Sequence, residues 1–219
     1  MPDWMLDGTM AARQRNGMKL FFRALVLSSF VAGCAAEPAP APAATSTSAA
    51  EIAAAPFTWP VPAGWRSETI PFPLAFAPSL PHRGTEELRF GPRFFDPKSP
   101  TYFTYSFAFV TKDEATITAD ALASELATYF HGLASAVTGS PSDPSLHGAT
   151  ITPAKDGLLR GTVHTIDAFG DKRPLTLAIA AKTLSCGERQ IVVSALSPSH
   201  DPAIVREVEA VRDAFACAR

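Results

Sequence analysis

Cysteine is scarce in this chain, three among 219 residues, and no two stand at the C-x-x-C spacing of a redox pair or a thiolate metal site. Histidine is nearly as thin. His82, His131, His147, His164 and His200 are scattered with no H-x-x-x-H pair, so no metal is expected. A G-x-S-x-G elbow, a P-loop and a dinucleotide-binding glycine pattern are all missing, which removes the usual signatures of α/β-hydrolases and nucleotide enzymes and leaves no cofactor to expect. Charged residues make up only 18% of the chain, with a formal net charge of −2. No basic block interrupts that balance, so nucleic acid is not an expected partner. Long apolar runs are also lacking: a spanning helix needs about 20 such residues, and the run Ala24–Ala32 offers about half of that.

What is present begins at Met18. Lys19 and Arg23 precede the apolar run, the order of a secretory signal, and residues 1–33 are read as a segment to be cut. Residues 1–17 fit it less well, as an over-extended start before Met18 or as a long basic n-region using Arg13 and Arg15. The run closes on Val31-Ala32-Gly33-Cys34, which resembles the lipobox of bacterial lipoproteins. That resemblance implies diacylglycerol on the Cys34 thiol, cleavage before Cys34 and acylation of the new amine, an anchor well beyond the two-signal requirement for stable membrane attachment. Ala35 after the cysteine resembles outer-membrane sorting in a Gram-negative cell. The expected address is thus the cell envelope, facing the periplasm where there is an outer membrane. An ordinary secretory signal that happens to contain a cysteine is the alternative.

Residues 34–56 consist almost wholly of Ala, Pro, Ser, Thr and Glu. Without apolar periodicity nothing offsets the entropy of ordering them. Pro38, Pro40 and Pro42 favour extended polyproline II, so the stretch reads as a tether. Cleavage would remove Arg13, Arg15, Lys19 and Arg23 against only Asp3 and Asp7, leaving the remainder more acidic than the whole chain.

Residues 57–219 are enough for one domain with a substantial core. Ten of the twenty prolines fall between Pro56 and Pro100, and proline donates no ladder hydrogen bond. Only short extended pieces are expected there, Ser67–Phe72 and Thr85–Phe90. Thr101–Val110 alternates as a strand, with Phe103, Tyr105, Phe107 and Phe109 on one face. Thr118 reads as an N-cap and Asp120 suits the first turn of the helix that follows. Its stripe is Leu122, Leu126, Tyr129/Phe130, Leu133 and Val137, and it stops near Gly139. Four strands follow, Ala149–Ala154, Leu158–Phe169, Leu175–Ser185 and Arg189–Leu196, separated by turns so short that neighbours must be antiparallel. A last helix starts at Asp201-Pro202 and runs to about Ala216, burying Ile204, Val208, Val211 and Phe215.

With Cys34 lipidated, Cys186 and Cys217 remain, and an oxidising envelope favours a bridge between them. Eight strand residues from Arg189 cover about 26 Å, and fifteen helical residues returning beside them cover about 22 Å. The helix end should therefore arrive beside Cys186. The expected fold is α+β, an antiparallel sheet with two main helices packed on it. That element order is similar to the PsbP-like group of small α+β domains. The stretch GTEELRFGPRFF followed by YFTYSFAF likewise resembles a recurring feature of bacterial envelope proteins. Neither resemblance implies an activity.

Candidate site residues come from two places. Alternation in Thr85–Phe90 puts Glu86 with Leu88 and Phe90, where burial would raise its pKa. A wet strand end or a pairing with an arginine such as Arg93 is the plainer account. Glu87 and Arg89 face the other way, expected as a solvated pair. Trp59, Trp65, Phe94, Phe95 and Tyr102 gather around the proline-rich part, either as recognition anchors on stiff loops or as core lining. Candidate binding residues are thus Trp59, Trp65, Glu86, Arg89 and Tyr102, with no catalytic residue. The leading expectation is a lipid-anchored, non-catalytic module that binds an envelope protein, a wall component or a small ligand. Its rivals are a hydrolase using Glu86 with a neighbouring His or Arg, and a structural spacer. An enzyme requires a pocket lined by Glu86 and a second titratable group, a binding module an apolar patch, and a spacer neither.

Overall fold

Alternating side chains along one central strand organise the molecule. In the computed structural model, residues 57–112 and 116–218 are described, so the signal segment, Cys34 and the tether lie outside the described residues. The elements are β1 (Phe57–Thr58), β2 (Arg66–Pro71), β3 (Gly84–Phe90), β4 (Tyr105–Thr111), α1 (Ala119–Thr138), β5 (Gly148–Pro153), β6 (Leu159–Ile166), β7 (Pro174–Cys186), β8 (Arg189–Ser197), α2 (Pro202–Asp213) and β9 (Ala216–Cys217). Seven strands form one sheet in the order β2-β3-β4-β8-β7-β6-β5, every neighbouring pair antiparallel. The expected meander is there as β5 through β8.

β4 is buried along its whole length, because both faces of the sheet are covered. Phe107 and Phe109 meet Tyr129 of α1, while Ala108 and Val110 pack in a cluster with Val208 and Val211 of α2. Adjacent strand residues point to opposite faces, so the two helices lie on opposite sides of the sheet. Each fully buried Leu or Phe in these layers contributes roughly 1.5–3 kcal/mol, which is the main force holding the helices down. Among the described residues no helix is long and apolar enough to cross a membrane.

The helix ends follow the chemistry of their caps. Thr118 accepts from Ala121 N and Gly139 takes the left-handed conformation, φ 70°, which costs glycine nothing. Asp201 caps α2, with Pro202 in the first turn. Three expected boundaries need correction, the first being the strand expected to reach Phe169, which ends at Ile166 where a turn takes over. Thr101–Phe103 is turn, and the strand begins at Tyr105. Phe103 adopts φ 52°, and its N–H is spent on Phe94 O at 3.1 Å, which takes it out of the ladder. The last helix stops at Asp213 rather than near Ala216. Phe215 stacks on Phe57 with ring centroids 4.9 Å apart, and Ala216–Cys217 pair as β9 with β1 in a separate two-stranded ribbon. β2, within the proline-rich stretch, is an edge strand with Pro71 its last residue, where a missing N–H costs least.

Candidate functional site

On the α1 side, the N-terminal turns of the helix do not close fully on the sheet. They leave a cleft of about 310 Å³, walled by Phe109 and Thr111 of β4, Gln190 to Val192 of β8, and Thr118, Ala121 and Glu125 of α1. Pro81 and His82, in the loop before β3, make the remaining wall. The floor is apolar because Phe109 and Val192 stand opposite each other on paired strands.

A histidine–carboxylate contact sits in this wall. His82 Nε2 meets Glu125 Oε2 at 2.9 Å, with the two side chains only 10% and 13% exposed. The imidazole is held by packing: its ring lies edge-on to Phe72 at 5.3 Å and tilted against Phe109 at 5.7 Å. Glu125 is placed by helix period, one position before Leu126 in the apolar stripe. This pair is absent from the sequence-derived candidates. The available signal was a carboxylate on the border of an amphipathic stripe. Its partner, 43 residues away, had none.

Glu86 is not wet, and Arg93 is not its partner. It is fully buried on the α1 face, opposite Ile70 and Phe109, and Arg93 pairs with Asp96 instead. No hydrogen bond of ordinary geometry reaches either carboxylate oxygen, nor the Tyr105 hydroxyl or Ser194 Oγ nearby on the same face. Burial pushes the Glu86 carboxyl up to about 8, with Tyr129 pulling it partway back and Glu68 and Glu87 adding to the rise. The same burial drives Tyr105 and Tyr129 well above the usual phenol range. Glu86 does not line the cleft, and neither His nor Arg is among the groups that shift it.

Glu87 and Arg89 are not a solvated pair either. Both are buried, 8% and 6% exposed, because the chain from β1 to β2 covers them. Arg89 donates to Leu88 O and Trp59 O at 2.8 Å each and lies 4.3 Å from the Trp59 ring centre. Thr69 Oγ1 donates to Glu87 at 2.8 Å. Burial lowers the Arg89 pKa, with Glu87 opposing.

The aromatic candidates divide rather than gather. Trp59 donates to Val211 O at 2.8 Å and Trp65 to Glu207 at 3.1 Å, so both indoles are buried fastenings for α2, not exposed anchors. Tyr102 lies elsewhere, donating to Asp167 in the turn after β6. Phe94 and Phe95 pack with tilted and edge-on rings against Phe90 and Phe169. The expected disulfide is present: Cys186 and Cys217 are bonded with Cα atoms 5.2 Å apart. It ties β9 to the end of β7.

A second polar cluster also escaped sequence reading. Ser142 Oγ and His147 Nε2 are 2.8 Å apart, and His147 Nδ1 is 3.0 Å from Thr165 Oγ1. This has the outline of a nucleophile–base pair, but the Ser142 N–H is already bonded to Ser135 Oγ and its carbonyl to His131. Those bonds lash the segment after α1 to α1 itself and to β6. Among the described residues, no group of three or more His, Cys, Asp or Glu could hold a metal.

Compared with protein-family models, curated proteins and solved structures, the chain finds no match in any of the three. Any functional reading therefore rests on the residues themselves.

Proposed function

We propose that this is a lipid-anchored protein of the cell envelope whose α+β domain binds a small ligand without catalysis, in the cleft beneath the first turns of α1. The observation that carries the binding role is the composition of that cleft. Its floor is apolar, and among the described residues that line it the charged side chain is Glu125, in hydrogen-bond contact with His82. The hydroxyls of Thr111, Thr116 and Thr118 beside it are bonded to neighbours. An apolar cavity with few polar groups suits binding and orientation. A hydrolase built on Glu86 has no support here, since that carboxyl is sealed in the core. The envelope address rests on the Met18–Cys34 pattern and the Pro/Ala-rich stretch after it, with the membrane as partner through the lipid.

Both parts are open to test. Replacing Cys34 by Ser should move the protein from the membrane pellet to the soluble fraction; retention in the pellet would sink the lipid anchor. Native mass spectrometry of the full chain released from membranes should show a small-molecule adduct that disappears when Ala121→Phe fills the cleft. A bare mass for the unaltered protein would count against the binding role.

A further inference from the structure

We infer that the cleft selects a small amphipathic ligand carrying a cationic hydrogen-bond donor, an ammonium group, seated on Glu125 with its apolar body against Phe109, Ile117 and Val192. This rests on the cleft being a ligand site, and it goes further by naming the ligand chemistry. The argument is an inventory of the polar atoms around the cavity. Thr111 Oγ1 donates to Gln190 O at 3.0 Å, and Thr116 Oγ1 to Gln190 Oε1 at 3.3 Å. That amide oxygen also accepts from Ser185 Oγ at 3.1 Å. Thr118 Oγ1 is the acceptor for Ala121 N at 3.2 Å. These three threonine hydroxyls and the Gln190 amide oxygen are thus already engaged.

Glu125 differs. His82 engages Oε2, and among the described residues Oε1 accepts no hydrogen bond. A mostly buried carboxylate oxygen facing an apolar cavity favours a donor, and favours a charged one more, because attraction is stronger where water is thin. An anion finds the opposite. It would meet the carboxylate at short range, with the Asp120 carboxylate in the same first turn and one of the helix's leading N–H groups, Ala121 N, already bonded to Thr118 Oγ1. The cavity is at the small end of the range of about 300–1,000 Å³ typical of ligand pockets, which limits the body to a short chain or one ring. The Phe109 and His82 rings supply the flat walls that such a body needs.

The test uses three probes sharing one tail, n-hexylamine, n-hexanol and hexanoate, titrated into the full chain and followed by amide shifts of Ala121 and Val192. Hexylamine should bind about tenfold or more tighter than hexanoate, with hexanol between them. Glu125→Gln should bring the amine and the carboxylate within about twofold of each other. Equal binding of all three to the unaltered protein would overturn the ammonium assignment while leaving a ligand site. Binding of none would overturn both. Should Glu125→Gln fail to fold, the order of the three probes on the unaltered chain decides by itself.

Discussion

The two faces of the sheet are finished differently. On the α2 face, among the described residues, the charged groups brought inside are paired through most of their polar atoms, with Arg89 Nε the one left over. Arg89 is shared between two carbonyls and the Trp59 ring, Glu87 accepts from Thr69, and Arg212 is bonded to Asp213 at 2.9 Å with Glu209 close by. The Cys186–Cys217 bond closes that side. On the α1 face, Glu86, Tyr105 and Ser194 are buried with polar atoms unpartnered, and the helix stands off the sheet at its N-terminal end to leave the cleft. An unpaired buried polar group costs about 1–3 kcal/mol, more when charged. The difference teaches that one side of this domain is a closed fastening, while the other buries unpaired polar groups in its core and separately leaves a cleft at the helix N-terminus.

The sharpest way to break that contrast is pH. In the folded chain Glu86 keeps its proton up to about 8, against an ordinary value of 4.5, so between those values the folded state binds a proton that the unfolded state has lost. Stability must then fall as pH rises through this window, by roughly 5 kcal/mol at about 1.4 kcal/mol per unit. Glu86→Gln should flatten that slope in urea melts at pH 5 and pH 8. An unchanged slope would mean that the α1 face carries no such strain.

The next largest effect belongs to the fastened face. Cys186→Ser with Cys217→Ser opens a loop whose ends are 31 residues apart and should cost roughly 3–4 kcal/mol on the chain-entropy account, read from the denaturation midpoint. Arg89→Met keeps most of the bulk but strands the Trp59 and Leu88 carbonyls and leaves Glu87 without its cation. A loss of about 3 kcal/mol is expected, with quenching of Trp59 fluorescence altered in the native state. Should Arg89→Met prove neutral, the α2 face would not be the balanced side.

The smallest effect concerns His147. Burial first, then the charge of His131, lowers its pKa below the ordinary 6.5, with Asp143 opposing. A base whose folded pKa is depressed contributes its stability above 6.5 and loses it as pH falls toward the folded value. An acid limb in the stability profile should therefore soften in His147→Gln, opposite in sign to the Glu86 slope. Persistence of the full limb would show that the Ser142–His147–Thr165 lashing does not titrate.

Period and punctuation carried most of the fold into view. The helix stripe Leu122–Leu133, the Thr118 and Asp201 caps, the four-strand meander and the disulfide were all legible, because each depends on residues close in sequence or on a simple length match. The site was less so. Alternation put Glu86 on an apolar face, but its burial depends on α1 covering that face. Trp59 and Trp65 are as suited to a surface as to a core, and only α2, about 140 to 150 residues away, decided between them. His82–Glu125 is a pairing that no local rule relates.

By itself the sequence determined the two helices, the main antiparallel strands and the cysteine pairing, since those follow from spacing, turn length and caps, but not the β1–β9 ribbon. It also supplied the lipobox-like address as an expectation. Tertiary structure alone decided that the helices take opposite faces and which charges are sealed or paired. It alone opened a cleft beside Glu125. Those outcomes depend on which surfaces meet across the chain, and burial and pairing are properties of the meeting, not of any residue in it.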